Sequence, residues 1–547
     1  MEHQGSTEEA LLYLFLVAAI GSFLGNFKIR GNGLGVAMVL FVGLAVGAAR
    51  PDLHIPDVIK LLGLSIFVYS IGLSSGPSFF GTLRSRGAAN MILAVSTLSI
   101  LSVMIGALAF AFGFDASGAA GLLAGITTNT PALAGLLDAI QSRGNTEAAG
   151  MSNSAVVGYS ISYPMGVIGL MIAVALMRRL LKVNYTKETE GLKDEFPTGQ
   201  PIVNQTLEIT NAELAGKSLR DLKHQYHFNL IFGRLLRGEE HSLCHWDTVL
   251  QMGDHIGITG ESGEVARAIA LLGTPAEHDL SYDRSVFELR RIFVSNPKIA
   301  GRTIASLNLH EQFPVILTRI RRGDVDSLVQ SDTVLELGDR IRVLAKPEDI
   351  RYMSKLLGDS YEELSHIDLL SFGLGMGLGI LIGSIEMTLP GGIVFSLGFA
   401  GGPLVAGLVL SYLRRSGPIV WTLPYSANLT IRQIGLMLLL AAIGINSGSA
   451  FLQTIMGPVG PLMFLSGILV SVFGSMFILY MGNRWLKIPF VLLSGMVSHH
   501  PANLDFANNN AESKIPTYGY ALVYPLLLIG KIVFVQMLWQ ALRVLGL

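Results

Sequence analysis

Charge is scarce in this chain. Only 14% of its 547 residues are Asp, Glu, Lys or Arg, while half are hydrophobic. A soluble protein of this length needs far more charge to cover its surface, so a wholly soluble fold is excluded. Cysteine is scarcer still. Cys244 stands alone, which rules out an intrachain disulfide and any CxxC metal or redox motif. The N-terminus, MEHQGSTEEALLYLF, lacks the basic n-region and A-x-A site of a removable signal peptide, so none is expected. Ser6 and Glu9 have capping-box spacing instead, at the start of an apolar run. A net charge of −1 gives no sign of a nucleic-acid partner.

Apolar runs are what the chain does have. Runs of about 20 residues, enough to cross a bilayer, fill residues 10–183 and 367–545. Most acidic, basic and His residues lie between them. The composition therefore divides the chain into a membrane segment 1–183, a soluble insert 184–365 and a second membrane segment 366–547.

The two membrane segments match. IGLSSGPSFF (71–80) is echoed by IGINSGSAFL (443–452), GITTNTPALAGL (125–136) by GMVSHHPANLDF (495–506), and GYSISYP (158–164) by GYALVYP (519–525). Three landmarks in one order indicate duplication. Each half shows five apolar spans plus the proline segment: near 10–27, 33–49, 58–76, 89–113 and 155–181, then near 367–387, 391–412, 432–450, 461–482 and 518–542.

The Lys/Arg bias decides the topology. A re-entrant proline segment and an external N-terminus put Lys28, Arg30, Arg84, Arg86, Arg178, Arg179 and Lys182 inside, with Arg414, Arg415, Arg432, Arg484, Lys487 and Lys514, against Arg50, Lys60, Arg143 and Arg543 outside. A full crossing abolishes that bias. The halves are therefore read as inverted repeats, the symmetry of many secondary transporters. The fold class is an α-helical polytopic membrane protein with an inserted α+β tandem. The insert then lies in the cytoplasm and both termini outside.

The insert repeats too. AGKSLRDL (215–222) pairs with AGRTIASL (300–307), RLLRG (234–238) with RIRRG (319–323), and DTVLQMGDHIGI (247–258) with DTVLELGDRIRV (332–343). Alternating strands and Gly-Asp turns suggest two small modules, 184–283 and 284–365. They resemble the C-terminal, TrkA-C-type lobe of regulator-of-potassium-conductance domains. The resemblance implies ligand binding, dimerisation or both. No GxGxxG opens the insert, and GLGMGLG (373–379) lies in a membrane span, where small residues serve helix packing. The turn Asp and Arg residues are expected to be solvated surface.

Two membrane halves carrying GITTNTPAL, GLSSGPSFF and GYSISYP around such modules resemble the aspartate:alanine exchanger family of bacterial transporters. The resemblance covers essentially the whole chain. It implies a multi-pass protein of the bacterial inner membrane, often a homodimer, that exchanges an amino acid or small carboxylate for another solute. The second proline motif departs from the family pattern, reading SHHPANL where another hydroxyl-rich stretch is expected.

Candidate site residues follow from both lines. Pro131 and Pro501 disfavour helix before them and suit the first turn of a helix after them. Thr128, Asn129 and Thr130 beside one, and Ser498, His499, His500 and Asn503 beside the other, offer hydrogen bonds to one shared substrate. Ser75 (beside Ser74), Asn446 and Ser447 belong to the IGxxSG motifs, where close helix packing is the competing explanation. Lys531 lies mid-span in YPLLLIGKIVFVQML. It is either a counter-charge for an anion or a cation capping a carbonyl or snorkelling. Of the two acids after the prolines, Asp505 is expected to be buried and Asp138 to lie in the loop before Gln141. His499 and His500 are adjacent and lack the i, i+4 spacing of a metal pair, so no metal is expected. No cofactor is expected, and no Ser/His/Asp order points to an enzyme. VVGYS (156–160) resembles a potassium-channel filter. It keeps one alternative open, a cation channel or potassium transporter gated by the modules.

Overall fold

The structure is a computed structural model that describes residues 7–27, 35–85, 87–142, 147–192, 202–277, 279–280, 283–309, 313–322, 325–360, 368–385, 387–389, 393–395 and 397–547. Two compact units emerge. One comprises Met1–Thr198, Phe372–Leu413 and Asn428–Leu547; the other comprises Gly199–Ser371 and Arg414–Ala427.

The first unit is helical. Its first half holds α1 (Thr7–Gly25), α2 (Met38–Ala49), α3 (Asp57–Ser85), α4 (Gly87–Phe112), α5 (Ala116–Ile126), α6 (Thr130–Gln141) and α7 (Ala148–Leu180). Its second half holds α8 (Leu369–Gly383), α9 (Gly398–Leu413), α10 (Tyr425–Met456), α11 (Val459–Leu469), α12 (Ser475–Arg484), α13 (Phe490–Met496), α14 (Pro501–Ala511) and α15 (Ile515–Val544). A π-turn at Val470–Gly474 joins α11 to α12. Ser6 of the expected capping box lies outside the described residues.

Seven of these helical stretches are long and apolar enough to cross a membrane. The sequence suggests ten. The shortfall is α2, α8 and α9, with 12, 15 and 16 residues, or about 18–24 Å of rise against a hydrocarbon core of about 30 Å.

Glycine lets the halves pack backbone to backbone. A Cβ on Gly72 of α3 would lie 3.0 Å from the Gly407 Cα of α9, and one on Gly444 of α10 would lie 2.9 Å from the Gly43 Cα of α2. Gly444 is the repeat mate of Gly72 in the IGxxSG motif. LFVGLAVG (40–47) and LVAGLVLS (404–411) make Gly43 the mate of Gly407. Each half thus packs its third helix on the other half's second. The IGxxSG motifs sit at these crossings.

The second unit contains two modules. In the first, β1 (Ile202–Ile209), β2 (Leu230–Arg237), β3 (Glu240–Leu243), β4 (His255–Glu261) and β5 (Gly273–Pro275) form a sheet ordered β3-β2-β4-β1-β5. In the second, β6 (Glu288–Phe293), β7 (Ile316–Arg322), β8 (Val325–Leu328) and β9 (Arg340–Ala345) are ordered β6-β9-β7-β8. Each module buries its own apolar core, around Leu207, Leu222 and Ile256 in one and Ile292, Ile341 and Met353 in the other.

The repeated DTVLxxGD motif has a structural cause. Asp254 and Asp339, expected as solvated turn residues, are each 1% exposed. Arg237 grips Asp254 with two bonds of 2.8 Å, and Arg322 grips Asp339 with bonds of 2.8 and 2.7 Å. The same carboxylates accept from Gln251 N and Glu336 N. A buried charge held by three hydrogen bonds fixes a turn in one geometry.

Among the described residues, the second module carries a further layer. The hairpin Arg415–Ser416 paired with Ile419–Val420 lies on it. Arg415 donates to the Lys298 carbonyl (3.0 Å) and to that of Pro297, and Arg414 Nε stands 3.8 Å from Glu336. Pro424 covers Gly338. In the first module Gln251 replaces Glu336, and the space above Gly253 is open.

Candidate functional site

Both proline segments are broken helices. Asp115 caps α5, accepting from Ser117 N (3.0 Å) and Gly118 N (2.9 Å). The chain leaves α5 at Thr127, passes through Thr128 at φ +46, and re-enters helix at Thr130. A left-handed threonine is uncommon and marks a forced turn. α13 likewise ends at Met496, and α14 begins at Pro501.

The residues before the prolines cap the new helices. Asn129 Oδ1 accepts from Ala132 N at 2.9 Å, and His500 Nδ1 accepts from Ala502 N at 3.1 Å. Part of the hydrogen-bonding capacity assigned to substrate is therefore spent on the backbone. Ser498 donates to the Ser494 carbonyl, and Thr130 shares a 2.8 Å bond with the Tyr159 hydroxyl.

Other polar atoms at the breaks are buried with no described partner: Thr128 Oγ1, His499 Nδ1, and both Nδ2 and Oδ1 of Asn503. A buried polar group without a hydrogen bond is costly. Four such atoms lie at the two helix breaks.

Lys531 of α15 joins them. It is 2% exposed, and its Nζ donates to the Thr127 carbonyl at 3.2 Å, across the end of α5. This is the carbonyl-capping role, and a cation at a helix C-terminus is favourably placed. An ammonium has three donors, so two remain. No described carboxylate pairs with it. Its charge acts on both His499 and His500.

Two tyrosines complete the link. On α7 the Tyr159 and Tyr163 ring centroids lie 5.4 Å apart, and the Tyr163 ring meets His500 edge-on at 6.1 Å. A ladder Thr130–Tyr159–Tyr163–His500 thus runs from the first break to the second. GYSISYP was legible as a landmark, and its i, i+4 tyrosines share a helix face. Their repeat mates Tyr520 and Tyr524 stack at 4.5 Å.

The remaining candidates lie elsewhere. Asn446 clamps the Ile55 backbone, accepting from its N–H (2.8 Å) and donating to its carbonyl (2.9 Å). Ser447 donates to Asn153, six residues or about 9 Å of helix before Tyr159. Ser75 adjoins Gly76, which packs against Leu408 and Ser411 of α9.

The two acids exchange their expected places. Asp138 is buried because α6 continues to Gln141, and its carboxylate accepts from Phe399 N (2.7 Å) at the start of α9. Asp505 is exposed on α14. VVGYS lies inside the unbroken α7, where Ser160 also donates to the Val156 carbonyl. Helical carbonyls are engaged with the backbone and cannot line a filter as successive free ligands.

Comparison with known proteins agrees with this architecture. A family described as Predicted Permease Membrane Region matches residues 13–179 and 371–540, and the TrkA-C domain matches 204–273 and 289–358. The chain is 42% identical over 535 residues to an uncharacterized transporter of Geobacter sulfurreducens, covering 97% of this chain and 98% of the relative. It is 40% identical over 529 residues to one of Symbiobacterium thermophilum (96% and 97%), and 37% identical over 539 residues to one of Corynebacterium glutamicum (97% and 98%). Matched across both helical halves and aligned almost end to end with these transporters, the chain belongs to this permease family and carries two TrkA-C domains.

Proposed function

We propose that the protein is a secondary active antiporter of small carboxylates, with aspartate/alanine-type amino-acid exchange as the best reading of substrate. The carrying observation is the set of buried groups with no described partner, on Thr128, His499 and Asn503, together with the two donors of Lys531 that no described bond uses. A carboxylate accepts from Lys531 and from the Asn503 amide, and Thr128 takes part through its hydroxyl. The helix starts at Thr130 and Pro501 add positive dipole ends.

Inverted repeats give the mechanism its symmetry. One break opens toward each face, and the two halves rock about the shared site. The TrkA-C modules lie in the cytoplasm and regulate the rate. The protein sits in the bacterial inner membrane as a homodimer, and the modules take a small ligand. The test is counterflow in proteoliposomes with labelled aspartate, alanine and succinate. Uptake should require solute on the opposite face. Flux down a gradient with no counter-solute would overturn antiport in favour of a channel.

A further inference from the structure

The second module carries an arginine row that its fold does not require. Arg291 on β6 stands opposite Arg342 on β9, and Arg342 stands opposite Arg319 on β7. Like charges facing one another across strands destabilise a sheet. Strands lie about 4.8 Å apart, so the three stems span about 10 Å. No described carboxylate pairs with any of the three, and Asp326 on β8 is the acidic group whose charge reaches Arg319 and Arg342.

Burial is a further cost. Arg319 is half-buried. Its Nη2 donates to Asn204 Oδ1 at 2.7 Å, while its Nε is buried with no described partner. Burial, and then repulsion from Arg291, holds its basicity below the usual guanidinium range, and Arg342 is lowered in the same way by burial, Arg319 and Arg291.

The sister module shows that the sheet can be built without this. The mates of Arg291 and Arg342 are Thr206 and Gly257, themselves paired on β1 and β4. The mate of Arg319 is Arg234, which is 5% exposed and donates to the carbonyls of Leu280 and Phe287. Its Nε is also buried with no described partner. Beside the row, Asn204, Arg234, Thr259, Thr318 and Leu344 line a small cleft between the modules, of about 30 Å³.

We propose that Arg291, Arg342 and Arg319 bind a multiply charged phosphate-class oxyanion at the seam between the two modules. Guanidinium forks match phosphate oxygens, and a chain of phosphoryl groups meets successive forks where one carboxylate neutralises a single charge. The phosphate belongs either to a soluble phosphorylated compound or to an anionic lipid headgroup. The site is separate from the substrate site and does not depend on it.

The test uses the full chain purified in neutral detergent and titrated calorimetrically with inorganic pyrophosphate. Wild type should bind, and the double variant Arg291→Gln/Arg342→Gln should bind at least about tenfold more weakly, a difference of about 1.4 kcal/mol. Its thermal midpoint should equal or exceed that of wild type, since facing like charges are removed. A second arm uses nanodiscs of phosphatidylcholine with or without phosphatidylglycerol. Loss of pyrophosphate binding with the anionic lipid identifies the headgroup as the source, and retention identifies a soluble ligand. Equal binding by the variant, or no response of wild type to millimolar pyrophosphate or to anionic lipid, overturns the assignment.

Discussion

Gly63 of α3 and Gly435 of α10, repeat mates, touch each other: a Cβ on either would lie 2.8 Å from the other's carbonyl oxygen. The contact lies within the exchanged packing of α2, α3, α9 and α10. Gly63→Ala should lower stability by about 1–3 kcal/mol through overpacking. Gly150→Ala on α7, where a Cβ meets open space, should be neutral or stabilise by up to about 1 kcal/mol. Thermal unfolding of the purified variants checks this; equal midpoints would remove the crossing from the account.

Asn503 and Asn129 should separate binding from folding. Asn129 caps α6, so Asn129→Ala should cost about 1 kcal/mol of stability besides any effect on substrate. The Asn503 side chain has no described bond to lose. Asn503→Ala should leave the thermal midpoint unchanged or raised and weaken substrate binding about tenfold or more. Wild-type affinity in Asn503→Ala would take that residue out of the site.

Lys531→Met tests the cation. Its loss removes a buried charge whose one described bond is to the Thr127 carbonyl, so the protein should insert and remain folded. Carboxylate counterflow should fall at least about tenfold. Unchanged counterflow would leave Lys531 as a cap of α5 alone.

Cys244 should be silent in the folded protein. It is buried, and burial pushes its thiol up to about 12. The neutral form therefore persists from pH 6 to 10, and labelling should stay flat across that range, appearing only on unfolding. Cysteines placed at Gly5 and Gly546 then report alone. Both should react with impermeant reagents in intact cells; protection of both would overturn the external placement of the termini.

Glu336→Gln makes the second module resemble the first, where Gln251 stands. It removes the 2.9 Å ion pair with Arg322 and the charge facing Arg414. The hairpin should loosen, speeding hydrogen exchange at Trp421 N–H, which bonds to the Arg414 carbonyl at 2.9 Å. Gln251→Glu serves as the control. Identical exchange in Glu336→Gln and wild type would show that the pair does not hold the hairpin.

Much of the architecture was legible because apolar length and repeated motifs are local. The broken proline segments could be read from Pro131 and Pro501, since proline's lost amide and fixed φ act at the residue itself. The partners across the fold could not. Nothing near Asp138 in sequence names Phe399, so its burial was missed. The capping role of Asn129 follows a known preference at helix starts, while His500 is not a preferred cap, and both side chains also read as ligands. Tyr159 and Tyr163 carried a motif without a role until the ladder to His500 placed them.

Asp138 has one more implication. Its mate in the second proline motif is Asn508, which bonds within its own half to Thr517 (2.9 Å), whereas Asp138 reaches into the other half to hold the start of α9. The second arm is tied to the first half at a different point, where Val491 N at the start of α13 donates to Glu188 at 2.9 Å. Each arm is thus fastened across the fold, one by a carboxylate it carries and the other by a carboxylate it receives, so matching sequences end in unlike joints.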